Sequence, residues 1–215
     1  MASPSSSTEV CNLALDYLSQ KPITDIENPS TDEENICARW YDSVRRRVLR
    51  LHSWNFAIKR AQLAKITTAP SFGYDGYYAY PTDLVRMISI VSASTDADYN
   101  KDIDYEIEGN HILASIDSAA ALNIRYVSDY TNVQGMDALF VDLLAIELAL
   151  RMAYKFTNGN SDVQRLKALR DDAVSEAHGV DGQERPIKRV QSSTALNSRK
   201  QQGSFVDTTR YGGAR

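Results

Sequence analysis

The sequence predicts an α+β protein: mainly a helical bundle of about four helices, carrying a small antiparallel β insertion and followed by an extended C-terminal tail. Three observations carry this expectation. Apolar residues recur at helical spacing in the first 50 residues and again after residue 136, they alternate with polar ones between residues 67 and 128, and they thin to single scattered positions after residue 180.

Residues 1–7 are a Ser-rich leader, expected to be disordered, with neither the basic nor the apolar region of a secretory signal. Val10, Leu13, Ala14, Tyr17 and Leu18 make the stripe of a first helix over about 8–20, which Lys21-Pro22 ends because proline cannot donate into a helical ladder. A loop from Ile23 to Pro29 leads to a second helix over about 31–51. Ser30 and Glu33 fit a capping box at its start, each satisfying a backbone donor that the first turn leaves orphaned. On the helical wheel Cys37, Trp40, Tyr41, Val44, Val48 and Leu51 share one face, with Arg39, Arg46 and Arg50 opposite. Acids in the first turn and arginines in the last also suit the helix dipole.

The β insertion spans about 54–130. Trp54, Phe56 and Ile58 alternate as in a strand, with a helical continuation of the preceding segment through Leu63 as the open alternative. Tyr105 and Ile107 alternate with acids, Gly109-Asn110 supplies a tight turn, and Ile112-Leu113 begins the return, so a hairpin is predicted. Leu122, Ile124 and Tyr126 add a third strand covering that pair, and Leu84 to Val91 a fourth. A third helix over about 136–157 is apolar almost all round and should be the most buried, its Asp137, Glu147, Arg151 and Lys155 sharing one narrow face. Ser161 with Gln164 opens a fourth helix over about 161–178, which Gly179 closes. Residues 181–215 are rich in Ser, Gln, Gly and Arg and cannot bury enough apolar surface to fold alone. Fully extended, such a tail reaches about 115 Å, far beyond what a domain needs to close on itself.

A hydrophobic content of 43% is sufficient for a core, so residues 8–180 are read as one domain. Cys11 and Cys37 lack a paired spacing and read as small buried hydrophobes. The net charge of −4 conceals a division: residues 185–215 hold seven Lys or Arg and one Asp, +6, while the remainder holds 17 basic and 27 acidic residues, −10. An acidic body carries a basic tail.

The run Cys37-Ala38-Arg39-Trp40-Tyr41-Asp42-Ser43-Val44-Arg45, followed by His52-Ser53-Trp54-Asn55-Phe56-Ala57, resembles the head-to-tail adaptor (tail tubular protein A) family of short-tailed bacteriophages. Other segments agree in order: Glu9-Val10-Cys11-Asn12-Leu13-Ala14-Leu15 with Gln20-Lys21-Pro22-Ile23, then Tyr78-Ala79-Tyr80-Pro81-Thr82-Asp83-Leu84-Val85-Arg86, Tyr105-Glu106-Ile107-Glu108-Gly109, Leu122-Asn123-Ile124-Arg125-Tyr126 and the long helix from Asp137. None of these is a catalytic motif; the resemblance rests on their number and order across residues 8–184. It implies a virion protein of the neck, made in the host cytoplasm, forming a twelvefold ring between the portal protein and the distal tail (nozzle) protein. It implies no enzymatic role, no cofactor and no metal, and DNA that passes through the channel without sequence-specific binding or any membrane contact.

The tail then becomes the portal- or subunit-binding device, through Arg185, Ile187, Lys188, Arg189, Val190, Leu196, Arg199, Lys200, Phe205, Val206, Arg210 and Tyr211. Arg45, Arg46, Arg47 and Arg50 are candidates for a subunit interface, since an acidic body disfavours DNA as their partner. Tyr74, Tyr77 and Tyr78 join them, because tyrosine supplies amphipathic contact area beside glycine turns. His52, His111 and His178 show no ligand spacing. Two alternatives stay open: a cell-wall hydrolase using a carboxylate pair that 28 acids do not single out, and a nucleic-acid module using the basic tail.

Overall fold

A computed structural model describes residues 4–68, 70–91, 103–116, 121–156 and 160–183. The chain divides into two units, Met1–Gly182 and Gln183–Arg215. The described elements are helices α1 (Ser7–Asp16), α2 (Asp32–Leu51), α3 (Ala138–Phe156) and α4 (Asn160–Gln183), with strands β1 (Ile58–Leu63), β2 (Gly76–Ala79), β3 (Leu84–Val91), β4 (Tyr105–Glu108), β5 (His111–Ala114) and β6 (Leu122–Ser128) between α2 and α3. Single 3-10 turns lie at Asn55–Ala57 and Val133–Gly135, so the alternation of Trp54, Phe56 and Ile58 is not a strand: β1 begins only at Ile58.

The expectation of a mainly helical bundle is overturned. Helix is 48% and strand 21% of the described structure, and the strands make two antiparallel sheets. The first has order β1-β6-β3 and the second β2-β5-β4. The predicted β4–β5 hairpin is present, with Gly109 at φ +54°, the left-handed conformation its turn requires. Its predicted neighbours are not. Strand β6 pairs with β1 and β3 in the other sheet, and the hairpin's neighbour is β2, which holds the tyrosine candidates Tyr77 and Tyr78. Alternation marks a strand but not its partner, and β1 reaches β6 across some sixty intervening residues.

Strand β6 joins the two cores through the strand period of two. Leu122, Ile124 and Tyr126 enter a cluster with Ile90 of β3 and with Tyr78, Ile112 and Ala114 of the second sheet. The neighbouring Val127 enters the larger core, which draws on all four helices, with Val85 and Ile88 of β3 packed against it. The first sheet is thus a middle layer, helices on one face and the second sheet on the other. Helix α3 is the most buried helix, as its composition requires, with Phe140, Leu143, Leu144, Leu148 and Ala149 at 0% exposure. Glu147, read as part of its polar face, is also buried, and Arg47 lies 3.9 Å from its carboxylate.

Helix ends also depart from expectation. The α2 capping box is shifted by one residue to Thr31 and Glu34. The end of the leader is ordered: Ser6 caps α1, its hydroxyl accepting from the Glu9 amide at 3.3 Å. Leu51 is exposed, and Leu49 takes the buried position at the end of α2. Helix α4 continues through Gly179 to Gln183, where the sequence suggested a stop.

Candidate interaction surface

The arginine run at the end of α2 divides its roles by helical geometry. Successive residues turn about 100°, so one of three consecutive arginines must face inward. That residue is Arg45, 2% exposed. Its guanidinium donates at 2.6 Å to Asp129 Oδ1, at 2.6 Å to the Tyr130 carbonyl and at 3.2 Å to Asp42 Oδ1. This fork ties the helical layer to the segment leaving β6, and a guanidinium so enclosed requires such partners. Arg45 is therefore internal framework and presents no charge to a neighbour.

Arg46, Arg47 and Arg50 face outward. Arg46 Nε meets the second Asp129 oxygen at 2.9 Å, and Arg50 donates to the Val85 carbonyl at 2.9 Å. Together with Ser43, Thr82, Asp83, Leu84 and Asp129 they line an open groove of about 410 Å³ where α2 meets the entry of β3. Asp83 is held by Lys59 at 2.8 Å and by the Tyr126 hydroxyl at 2.9 Å. Partial burial pulls the Asp83 carboxyl upward, but those two hydrogen bonds and the Lys59 charge outweigh it and leave it below its ordinary value. Burial, then the Asp83 contact, push the Tyr126 phenol up to about 12. With Asp83 and Asp129 each also engaged by a basic side chain outside the trio, the groove wall is predominantly cationic.

The tyrosine candidates separate in the same way. Tyr78 is 1% exposed and belongs to the second core. Tyr74 and Tyr77 are half-buried, Tyr77 lying 5.3 Å from the exposed His111 ring. His52 stacks on His178 at 4.3 Å beside Trp54, a packing role that their positions at the ends of α2 and α4 make available. Trp54 itself is buried, its Nε1 donating at 3.0 Å to the Val48 carbonyl, one of the acceptors that the end of α2 leaves orphaned. The tail candidates from Arg185 to Tyr211 lie outside the described residues.

A second groove, of about 420 Å³, opens between α1, α3 and α4 and is lined by Asp16, Tyr17, Asp142 and Arg165 among others. Desolvation first, then Glu176 and Asp137, raise the Asp142 carboxyl. Sequence reasoning missed this groove, because Asp16 and Asp142 are brought together only by packing. Among the described residues no His, Cys, Asp and Glu cluster could hold a metal ion, and no helix is long and apolar enough to cross a membrane. Cys11 and Cys37 are free and buried, and hydrogen bonding to Cys37 together with burial pushes the Cys11 thiol up. No family model matches the chain, and no curated protein matches it.

Proposed function

We propose that this chain is a non-enzymatic structural virion protein: a head-to-tail adaptor of a short-tailed bacteriophage, which forms a ring between portal and distal tail and leaves an open channel for the genome. The observation that carries the reading is the division within the signature arginines. Arg45 locks the helical layer to the β layer from inside, and Arg46, Arg47 and Arg50 line an open cationic groove on a body whose first 184 residues sum to −10. A ring subunit needs a stiff block with charged faces, because closed symmetry multiplies contacts that are individually modest. The ordered series of segments resembling the adaptor family supports the same reading, as does the basic tail, whose length and charge suit capture by an acidic surface on the portal.

The test is electron microscopy and mass measurement of the purified chain, alone and mixed with portal protein, for full length and for a truncation after Glu184. Rings or a cap on the portal, diminished by the truncation, are the expected outcome. Monomers indifferent to portal overturn it. The groove holding Asp16 and Asp142 is where the hydrolase alternative would place its carboxylates. Peptidoglycan turnover abolished by Asp142→Asn would establish that alternative instead.

A further inference from the structure

The first sheet has β1 and β3 at its edges and the second has β2 and β4; of these, β1 carries exposed bases and β4 exposed acids. The sandwich is closed at one corner: beyond β1, Lys65 bridges to Tyr78, and the Ile66 amide donates to the Tyr77 carbonyl at 2.8 Å. The outward edge of β1 itself, Ile58–Leu63, pairs with no other strand among the described residues. Strand β4 ends the second sheet, and no described strand pairs with its outward edge.

The side chains on these edges are complementary on both faces. In β4, Tyr105 and Ile107 stand opposite Ala114 and Ile112, so they lie on the face that builds the second core. They nevertheless remain 41% and 44% exposed, an apolar overhang continuous with that core. On β1 the apolar residues facing the same core are Ala61 and Leu63, with Lys59 at the start of that face held by Asp83 at 2.8 Å. The other face of β4 carries Glu106 and Glu108, with Asp104 just before the strand, and the other face of β1 carries Arg60 and Gln62. All of these polar residues are exposed.

We infer that β1 of one copy pairs edge to edge with β4 of the next, joining the first sheet of one subunit to the second sheet of its neighbour. This deepens the proposed function and rests on it, naming the seam of the ring. Edge-strand addition satisfies the free backbone groups of both strands. It sets Tyr105 and Ile107 beside Ala61 and Leu63, and places Arg60 across from Glu106 or Glu108, the arrangement that favours cross-strand pairs. Pairing β4 with β4 would set acid against acid, and pairing β1 with β1 would bring no acid to Arg60, so the mixed pairing is the one that joins opposite charges. A contact between two different edges of the same chain is heterologous, and repeats head to tail until it closes.

The test uses the full chain with Arg60→Cys and Glu106→Cys together, and with Arg60→Cys and Glu108→Cys to allow for register, oxidised with copper–phenanthroline at assembly concentration. The buried Cys11 and Cys37 supply the background, measured on the parent chain. A ladder of linked multimers in either double variant, reduced to dimers or less in each single variant, is the expected result. In parallel, reversing Glu106 and Glu108 to Arg should weaken self-association tenfold or more, and adding Arg60→Glu should recover part of it. Thermal melts check that these exposed substitutions leave the fold intact. Rings that form undiminished with the reversed charges and give no ladder overturn the edge pairing while leaving the ring reading in place. A chain monomeric at every concentration, with and without portal protein, removes both.

Discussion

Glu34 is 2% exposed, and it stays buried because it is surrounded by donors. The backbone amides of Ser30 and Thr31 come first, followed by the hydroxyls of Thr24 and Ser30, and together they hold its carboxyl far below the usual carboxylate range. With Asn12, which clamps Ile23 by donating to its carbonyl at 3.1 Å and accepting from its amide at 2.7 Å, Glu34 fixes the loop between α1 and α2. A carboxylate depressed on folding contributes stability that is present above its unfolded value, about 4.3, and is lost as pH falls toward the folded one. Melting temperature should therefore drop on acidification below about pH 4.5. Glu34→Gln should be less stable at neutral pH with a flatter acid limb, and thermal melts from pH 3 to 7 check both. Arg45 poses the converse case of a buried cation. Arg45→Met strands the inner oxygen of Asp129 and the Tyr130 carbonyl, at a cost of about 3 kcal/mol. Arg46→Ala, at a position 64% exposed, should cost under about 1 kcal/mol. Denaturant titration of the pair measures the division directly. Three consecutive arginines were visible in the sequence, but which one turns inward depended on where α3 and the β6 exit lie.

Among the elements, α4 departs most instructively from a local reading. Glycine after a run of periodic residues usually marks a helix end. Here Gly179 sits inside the helix without a positive φ, and a Cβ added to it would meet nothing within 4 Å. Gly179→Ala should therefore raise stability by about 0.5–1 kcal/mol and increase helicity by circular dichroism. Had Gly179 been a left-handed terminator, the same change would destabilise. Gly135 is the opposite case: an added Cβ would stand 2.0 Å from the Tyr130 hydroxyl. Tyr130 packs on Phe56 at 5.4 Å between rings and its carbonyl receives Arg45, so Gly135→Ala should cost about 1–3 kcal/mol in a denaturant titration. The β4–β5 hairpin was legible because its turn and both strands lie within ten residues. The placement of β6 was not, because the alternation of Leu122, Ile124 and Tyr126 suits either sheet.

At the scale of the whole molecule, charge is distributed by face. The arginine groove and the acidic β4 edge belong to one compact unit, while the excess of positive charge belongs to residues 185–215. Contacts made between such exposed charges are screened when the Debye length falls, from about 10 Å at 0.1 M salt to about 3 Å at 1 M. Self-association of the full chain should therefore weaken as salt rises over that range, by an amount that Glu106→Arg with Glu108→Arg largely removes. Sedimentation velocity at several salt concentrations reads this out. A salt-indifferent assembly would assign the seam to apolar contacts alone.

What the sequence by itself determined is local. Helical and strand periodicity, the Gly109-Asn110 turn, the apolar character of α3 and the opposition of acidic body and basic tail all depend on residues within a few turns of one another. What only the tertiary structure decided is partnership: that Arg45 faces inward to Asp129, 84 residues away, that β6 divides its faces between two cores, and that an acidic β4 and a basic β1 stand at sheet edges. Periodicity records which face of an element is apolar. It does not record which distant element covers that face, because the covering is chosen by the packing of the whole chain.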